Sequence, residues 1–269
     1  MAQSLLNDYI IRPEWDVPDN IKSLQTSRLG GCSNVPFNSL NLAEHVDDNI
    51  HAVKLNRKTL AELLPSEPVW LDQIHSNTIV EADPSAIAMS ADGSYTTQTN
   101  IISVVMTADC LPVLICNRQG NAVAAIHAGW RGLLNGILEQ GVKKLITASQ
   151  CRPEDLVVWL GPAIGPEMFE VGDEVRQAFL DKSANKQSIS TCFTVSDYHS
   201  VKPFSGSILA EKKWLADIYQ LARVRLSAIG VKNLFGGTYC TYKEADIFYS
   251  YRREGKTGRM ASLIWIGHD

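Results

Sequence analysis

The sequence predicts an α+β domain with mixed sheets. Apolar runs of strand length stand as neighbours along the chain, and amphipathic helical patterns fall between some of them without strict alternation. The 269 residues, 45% of them hydrophobic, suffice for one large core, and no linker or internal repeat divides them. We therefore predict one domain over residues 1–269.

Apolar residues at helical spacing predict three helices, over residues 48–64, 133–146 and 212–229. The first is expected to begin at Asp47 or Asp48 and to carry Arg57 on its inward face. The second contains two glycines, which disfavour a helix, so tertiary packing must hold it. The third stops at Gly230, a residue that tolerates a left-handed cap.

Seven short apolar runs are candidate strands: residues 101–105, 113–116, 122–127, 156–160, 233–235, 247–251 and 260–266. The last two flank residues 252–259, whose glycines and charges favour a hairpin loop. The polar residues 181–207 show no sustained period, and we expect them to form a surface excursion within the domain.

Composition and charge exclude several classes of partner. A net charge of -4 and a pI near 5.9 give no general attraction to nucleic acid or to an anionic membrane. The sequence has neither a secretory signal pattern nor a run of eighteen apolar residues, so we expect a cytoplasmic protein. Its six cysteines are scattered, which favours reduced thiols over a disulfide framework. A homodimer is the default expectation for its assembly.

Two apolar runs each carry one potential metal ligand. Residues 104–112 include Cys110, and residues 124–132 include His127. A buried strand has no packing need for a thiol or an imidazole unless these groups meet partners. With His75 upstream, a Cys plus two His set emerges. Three such ligands leave the fourth position of a tetrahedral zinc site open, which is typical of catalytic rather than structural zinc.

A series of motifs then extends along nearly the whole chain: Thr26-Ser27-Arg28 with Gly30-Gly31, Ser39-Leu40-Asn41-Leu42 with His45, Asn56-Arg57, Gln73-Ile74-His75, Thr107-Ala108-Asp109-Cys110-Leu111-Pro112, His127-Ala128-Gly129-Trp130-Arg131-Gly132, Leu160-Gly161-Pro162 and Ser250-Tyr251-Arg252-Arg253. In this order and with these gaps the sequence resembles the YfiH-like family. Its members are described as polyphenol oxidases or laccase-domain proteins, and more recently as purine nucleoside phosphorylases. The visible departure from the family is the polar segment around residues 182–207.

The resemblance implies a four-layer α-β-β-α sandwich related to a cysteine-hydrolase-like toxin domain. It also implies zinc held by His75, Cys110 and His127, with purine nucleosides and phosphate as substrates. The activities it implies are phosphorolysis of adenosine, inosine and methylthioadenosine, and deamination of adenosine. An amide-hydrolysing role in peptidoglycan precursor editing is a further implication for some bacterial members.

Physical chemistry assigns candidate roles to these residues. A zinc ion lowers the pKa of bound water toward roughly 7, which suits deamination. Phosphorolysis needs a held phosphate, and the forked donors of arginine match phosphate oxygens. The candidates for substrate or phosphate contact are Arg28, Asn41, Arg57, Arg131, Arg252 and Arg253. We hypothesise that Arg57 and the turn at residues 127–132, which opens a helix at Leu133, border the phosphate.

Several of these residues keep alternative interpretations. Arg57 could snorkel or pair with a carboxylate, and Arg252 and Arg253 could form a solvated hairpin tip. Asp109 could orient an imidazole or act as a general base, or it could tie down the turn after its strand. Cys240 and Trp130 could line the pocket, although both residue types more often only pack.

Two further functions stay open beside the zinc-dependent nucleoside enzyme. Cys110 could be a nucleophile activated by His127, in a thiol hydrolase that needs no metal. Copper-dependent phenol oxidation is weaker, because the six histidines offer no paired His-X-His motif for several copper centres. Copper could still occupy the zinc site.

Overall fold

The computed structural model describes residues 6–86, 89–196 and 212–268. Its strands in these ranges are β1 (Ile10–Ile11), β2 (Ile21–Thr26), β3 (Leu71–Asp72), β4 (Val80–Glu81), β5 (Met89–Ser90), β6 (Gly93–Thr96), β7 (Ser103–Thr107), β8 (Leu111–Asn117), β9 (Val123–Ala128), β10 (Leu156–Leu160), β11 (Glu170–Gly172), β12 (Phe193–Val195), β13 (Lys213–Ala216), β14 (Asn233–Gly236) and β15 (Met260–Ile266). Its helices are α1 (Ile50–Ala61), α2 (Trp130–Leu134), α3 (Ile137–Ser149), α4 (Asp173–Lys182), α5 (Lys186–Ser190), α6 (Ile218–Ala228) and α7 (Tyr251–Glu254), with a 3₁₀ turn at Pro153–Asp155.

The strands form mixed sheets, as the sequence predicts. A six-stranded sheet has the order β14-β10-β8-β9-β6-β4, and a four-stranded sheet has the order β1-β2-β15-β7. Smaller sheets have the orders β11-β13-β12 and β3-β5. Pairs β10/β14 and β4/β6 are parallel, whereas β8 runs antiparallel to both β9 and β10. The fold class is therefore α+β.

The two larger sheets pack face to face through alternate side chains of their central strands. Val105 and Ile264 of the four-stranded sheet share one buried cluster with Leu114, Ala125 and Val157 of the six-stranded sheet. Because successive side chains of a strand point to opposite faces, the alternate residues of these strands point to the outer faces of the two sheets. This alternation decides which side chains can reach a site between the sheets.

Helices cover the outer faces of the sheets. On the six-stranded sheet, Leu138 of α3 and Leu221 of α6 pack with Ile126 of β9. On the four-stranded sheet, Leu60 of α1 packs with Leu263 of β15. Among the described residues, none of the helices is long and apolar enough to cross a membrane.

The long buried strands match their predictions closely. Strands β10 and β15 have the predicted bounds, β8 and β14 extend the predicted runs, and β9 lies one residue later than predicted. Strand β7 lies two residues later than predicted. Helix α1 begins after Asn49, whose side chain accepts hydrogen bonds from the amides of His51 and Ala52, rather than at Asp47 or Asp48. All six cysteines are free thiols.

The predicted strand at residues 247–251 and its hairpin are wrong. The chain instead enters α7, which Ser250 caps by accepting a hydrogen bond from the Arg253 amide. The Glu254 carboxylate at the end of α7 forms an ion pair with Arg28 at 2.7 Å. These interactions fold residues 250–254 against the protein, so the apolar run before them does not pair with β15.

The helix predicted over residues 212–229 begins too early. Its first part is strand β13, in which Trp214 and Ala216 are buried in alternation with Lys213 and Leu215. Asp217 then caps α6 by accepting a hydrogen bond from the Gln220 amide. A period-two pattern of four residues therefore precedes the helical one, and the two are easily merged in the sequence.

The helix predicted over residues 133–146 is divided. Helix α2 ends at Leu134, and Gly136 adopts a left-handed conformation with φ 88° before α3 starts. Glycine adopts positive φ without steric cost, so a residue that disfavours a helix here supplies the corner between two helices. Helix α2 also begins earlier than predicted, at Trp130 rather than at Leu133.

The polar segment at residues 181–207 is partly described. It begins within α4 and continues through α5 and β12, and Ile189, Cys192 and Phe193 are buried. The part up to residue 196 therefore contributes to the core, unlike a purely superficial excursion. Residues 197–207 lie outside the described residues.

Replacing Leu263 by alanine tests the packing of the four-stranded sheet. Leu263 is fully buried beneath α1, so we expect the free energy of unfolding to fall by about 2–5 kcal/mol. The matched control is Leu55→Ala, because Leu55 is 52% exposed on α1 and should change stability by no more than about 0.5 kcal/mol. Urea unfolding followed by circular dichroism measures both variants, and equal losses would contradict the packing.

Candidate metal centre and active site

A cavity of about 540 Å³ contains the candidate site. It is lined by the three predicted metal ligands, by three arginines and by large aromatic side chains: His75, Cys110, His127, Arg131, Arg252, Arg259, Trp130, Phe169 and Tyr251. Its volume is that of a typical small-molecule site, in which a few convergent polar groups fix the orientation of a ligand.

Strand pairing places two of the ligands side by side. The antiparallel register of β8 and β9 sets Pro112 opposite His127 and Leu111 opposite Ala128. One step further, Cys110 comes opposite Gly129. Alternation turns His127 to the same face as Ala125, toward the other sheet, and not to the helix-covered face that Ile126 occupies.

The third ligand comes from a loop. His75 follows β3 with φ 58°, in the left-handed region that non-glycine residues seldom adopt. Its Nε2 lies 3.8 Å from the Cys110 sulfur, and its ring meets the His127 ring edge-on at 4.8 Å between centroids. The ligand atoms of all three residues lie within 4.8 Å of one another, so the cluster could hold a metal ion.

The residues present fit a tetrahedral ion. Zinc–sulfur and zinc–nitrogen bonds of about 2.3 and 2.0 Å place ligand atoms about 3.3–3.7 Å apart, so a contraction of about 1.5 Å or less completes the geometry. Gly129 leaves room for the cluster, because a Cβ atom there would lie 3.1 Å from both the Cys110 sulfur and the His75 ring. His75 is exposed, Cys110 is intermediate and His127 is buried, so the cluster opens toward the cavity.

Asp92, which sequence reasoning missed, lies directly behind the cluster. It is fully buried, and its Oδ1 lies 2.8 Å from His127 Nδ1. The carboxylate also accepts hydrogen bonds from the amides of His75 and Ser76. The sequence gives only a weak indication of this role. Asp92 stands between Ala91 and Gly93, just before a short strand that has no apolar pattern.

The charges within the cluster depend on one another. Burial alone would raise the pKa of the Cys110 thiol, but the neighbouring His127 imidazolium and the contact with His75 lower it to about 6. Burial would likewise lower the pKa of His127, but the Cys110 thiolate and the Asp92 carboxylate raise it to about 9. Without a metal, the pair is therefore thiolate and imidazolium at neutral pH.

Asp109 lines the cavity with its carboxylate engaged elsewhere. Its Oδ1 accepts a hydrogen bond from the Thr241 hydroxyl and its Oδ2 accepts one from the Arg252 amide, both at 2.7 Å. The residue has φ 88°, and its carbonyl oxygen accepts a hydrogen bond from the Ile164 amide. This geometry favours the tie-down interpretation of Asp109, whose carboxylate joins the turn after β7 to the loop at Thr241 and to helix α7.

Three arginines line the cavity. Arg131 and Arg252 are among the predicted residues, and Arg259 was missed because it was assigned to a hairpin loop. Among the described residues, no carboxylate lies within ion-pair distance of these three arginines. Burial lowers the pKa of Arg259, while the nearby Cys110 and Asp109 charges oppose this shift. The cavity therefore concentrates positive charge beside the metal ligands.

The other four predicted contacts are outside the cavity lining that the structure describes. The Arg57 guanidinium stacks on Trp70 and donates a hydrogen bond to the Leu42 carbonyl oxygen. Arg28 and Arg253 both bond to Glu254 and to backbone carbonyl oxygens. The structure thus places Arg28, Arg57 and Arg253 against protein groups and does not bring these three arginines into the cavity.

Asn41 also has a supporting position. Its side chain is fully buried, and its oxygen accepts hydrogen bonds from the backbone amides of Ala43 and Arg259. Asn41 thus fixes the backbone that carries Arg259, although the sequence suggested a substrate contact. Trp130 lines the cavity with Arg131 stacked on it, whereas the Cys240 sulfur accepts a hydrogen bond from the Gly165 amide beside a different, smaller cavity.

The chain is similar to known proteins over nearly its whole length. Residues 22–267 match the family model described as multi-copper polyphenol oxidoreductase laccase. A purine nucleoside phosphorylase of Pseudomonas aeruginosa is 46% identical over 95% of this chain and 98% of its own. The purine nucleoside phosphorylase YfiH of Escherichia coli is 46% identical over 96% of this chain and 98% of its own.

Solved structures show the same similarity. The Neisseria meningitidis protein NMB0706 superposes with a TM-score of 0.84 at 42% identity, covering 97% of this chain and all of that one. The Bacillus licheniformis protein YfiH gives a TM-score of 0.80 at 29% identity, covering 92% and 93%. The chain is therefore an enzyme of the multi-copper polyphenol oxidoreductase laccase family. Within that family it is similar to the YfiH proteins.

Alkylation of Cys110 tests the electrostatics of the cluster. In chelator-treated protein, we expect the rate with iodoacetamide to rise around a midpoint near pH 6, because the thiolate is the nucleophile and its pKa is lowered to about 6. In a His127→Gln control the midpoint should rise to about 8.5 or higher, since the cation that opposes burial is lost. Mass spectrometry of the Cys110 peptide measures both rates, and a wild-type midpoint near that of free cysteine would contradict this account.

Proposed function

We propose that this enzyme is a zinc-dependent purine nucleoside phosphorylase. The observation that carries the proposal is one cavity in which a His-Cys-His cluster lies beside three arginines. The names of the Pseudomonas and Escherichia relatives support the same activity. The substrates are a purine nucleoside and phosphate, and the products are the free base and ribose 1-phosphate.

The donor set and the open fourth position of the cluster suit a zinc ion. One thiolate and two imidazoles form a borderline-soft donor set, and three protein ligands leave a fourth position open. A zinc ion bound by His75, Cys110 and His127 would supply Lewis acidity and positive charge at one wall of the cavity. The protein would contribute the orientation of the ligands, through Asp92, and the water-excluding surfaces around them.

We assign the phosphate to the arginines of the cavity, with Arg259 as the principal contact. Its guanidinium is held by the carbonyl oxygens of Thr257 and Gly258 through Nη1 alone. Arg252 is similarly fixed by the carbonyl oxygens of Met168 and Glu170. Guanidinium groups held this way are oriented before a ligand arrives, and they match phosphate oxygens in a forked geometry.

The reaction that follows is a displacement at the anomeric carbon. A phosphate oxygen forms a bond to that carbon as the glycosidic C–N bond breaks, and the base departs with the electron pair and gains the proton that hydrogen phosphate loses. The developing charge in such a transition state is stabilised by fixed positive groups in a water-poor cavity. Trp130, Phe169 and Tyr251 provide flat surfaces against which a purine can pack. Deamination of adenosine in the same cavity is the expected side activity.

A thiol hydrolase is the second candidate, and one observation favours it. Cys110, His127 and Asp92 form a line of nucleophile, base and orienting carboxylate, which is the arrangement of a catalytic triad. In this case the enzyme would hydrolyse amides without metal, as peptidoglycan precursor editing requires. Full activity after chelation, with covalent trapping at Cys110, would select this function over the phosphorylase.

Copper-dependent polyphenol oxidation has less support, despite the name of the family. Within the described residues, one cluster of three potential ligands is found, whereas multicopper oxidation uses several copper centres. Copper could occupy this single cluster, since it binds nitrogen and sulfur ligands at least as tightly as zinc does.

The remaining finer expectations belong to the same proposal. The packing of helices on both outer sheet faces supports the four-layer α-β-β-α arrangement. A net charge of -4 and six free thiols support a cytoplasmic protein that binds neither nucleic acid nor membrane. A homodimer and a single domain over residues 1–269 stay predictions.

Product analysis tests the proposed activity. Metal-assayed enzyme incubated with adenosine should release adenine and ribose 1-phosphate only when phosphate is present, because phosphate is the nucleophile. Cys110→Ala should abolish both this activity and the binding of one equivalent of zinc. Inosine formed without phosphate would show deamination, and the absence of any product with adenosine, inosine or methylthioadenosine would contradict the proposal.

The Arg259→Ala variant tests the phosphate assignment. Loss of a charge-assisted contact of about 1.5–3 kcal/mol should raise the KM for phosphate about 10- to 100-fold. Zinc content should not change, because Arg259 is not a ligand. Arg57→Ala is the matched control, since Arg57 stacks on Trp70 outside the cavity and should leave the phosphate KM within about twofold. If the control shows the larger effect, the assignment is wrong.

A further inference from the structure

Asp92 occupies a special position in the six-stranded sheet. It precedes β6, whose Gly93 pairs with Ile126 of β9 in the antiparallel register. The next pair along is Asp92 and His127, and the His127 amide donates a hydrogen bond to the Asp92 carbonyl oxygen at 2.7 Å. Gly93 permits this close approach, because a Cβ atom there would lie 2.9 Å from the Ala125 carbonyl oxygen. Backbone pairing therefore brings the Asp92 side chain to His127.

The carboxylate determines the orientation of the His127 ring. Oδ1 lies 2.8 Å from Nδ1, and an ionised carboxylate can only accept, so Nδ1 carries the proton. In the neutral ring this leaves the lone pair on Nε2, the nitrogen nearer to Gly129 and the Cys110 sulfur. A ligand imidazole bonded in this way is held in one tautomer and one orientation.

The same carboxylate also holds the loop that carries His75. Oδ1 accepts a hydrogen bond from the His75 amide at 2.9 Å, and Oδ2 accepts bonds from the Ser76 amide and hydroxyl at 2.5 and 2.7 Å. The Asp92 amide in turn donates to the Thr78 carbonyl oxygen. His75 has φ 58°, a conformation that a histidine keeps only when its surroundings fix it.

We propose that Asp92 is the positioning residue of the metal centre, and that one carboxylate aligns both histidine ligands. This proposal rests on the metal site of the proposed function and not on the identity of the nucleoside. Four donors converge on two oxygens, two from the His75-Ser76 backbone and one each from the Ser76 hydroxyl and the His127 ring. In an amide one of the two oxygens becomes an NH2 group that cannot accept, so either the His75 and His127 donors on Oδ1 or the two Ser76 donors on Oδ2 lose their acceptor.

The test is the affinity for zinc of the Asp92→Asn variant, measured by competition with a chromophoric chelator. We expect its Kd to be 10- to 100-fold higher than that of the wild type, the range found when outer-shell partners of metal ligands are removed. Loaded with Co²⁺, the variant should also show a changed d–d absorption spectrum, because both imidazoles are less constrained. At saturating zinc, the loss in kcat of the variant should be smaller than its loss in zinc affinity.

The matched control is Asp72→Asn. Asp72 is exposed on β3, three residues before His75, and its side chain bonds to Ser90 rather than to a ligand. The substitution removes the same charge near the same loop, so the zinc Kd should stay within about threefold of the wild type. Equal zinc affinity in Asp92→Asn and the wild type would overturn the proposal, as would equal losses in both variants.

A measurement on the wild-type enzyme covers the case in which Asp92→Asn does not fold. Long-range ¹⁵N–¹H spectra of zinc-loaded protein with labelled histidines should show His127 protonated at Nδ1 and metal-bound through Nε2. Metal bound through Nδ1 would overturn the proposal. Zinc binding is measured without nucleoside, so a protein that binds zinc through Asp92-held histidines but lacks phosphorolysis would refute the proposed function alone.

Discussion

The antiparallel pairing of β6, β9 and β8 is the constraint on which the site depends. Their registers place Asp92 beside His127 and bring Cys110 opposite Gly129, so three polar groups meet at one end of an otherwise apolar sheet. A one-residue slip of β9 would turn His127 to the helix-covered face. Such a slip would be costly, because it would displace apolar side chains of β9 from the cluster between the sheets, which includes Val105, Leu114 and Ile264. Packing between the sheets therefore holds the chemistry in place.

Much of the fold could be predicted from the sequence where burial is complete. Strands β8, β9, β10 and β15 are buried on both faces and form continuous apolar runs, which a local pattern identifies. Strand β13 and helix α7 were missed because their conformations depend on distant partners. Strand β13 pairs with both β11 and β12, and the Arg28–Glu254 ion pair holds α7.

The same distinction applies to the site. Cys110 and His127 could be predicted, because imidazole and thiol groups in apolar runs need partners, whereas His75 was identified through its family motif. Asp92 and Arg259 could not, since only the folded structure shows that Asp92 pairs with His127 and that Arg259 lines the cavity. Of the predicted arginines, Arg131 and Arg252 reach the cavity, while Arg28 and Arg253 support the helix that carries Arg252. A motif near a site thus contains both contacts and their supports, and spacing alone does not separate them.

The bond from Asp109 to the Arg252 amide has an energetic consequence. Asp109 directly precedes the thiolate ligand, so the turn that presents sulfur to an ion and the helix that presents a guanidinium to an anion share one hydrogen bond. Ordering of either partner lowers the entropic cost of ordering the other. By thermodynamic linkage, any factor by which a bound cation raises the affinity for the anion must equal the factor by which a bound anion raises the affinity for the cation. If the cluster and the arginines bind these ions as proposed, this bond couples the two halves of the cavity.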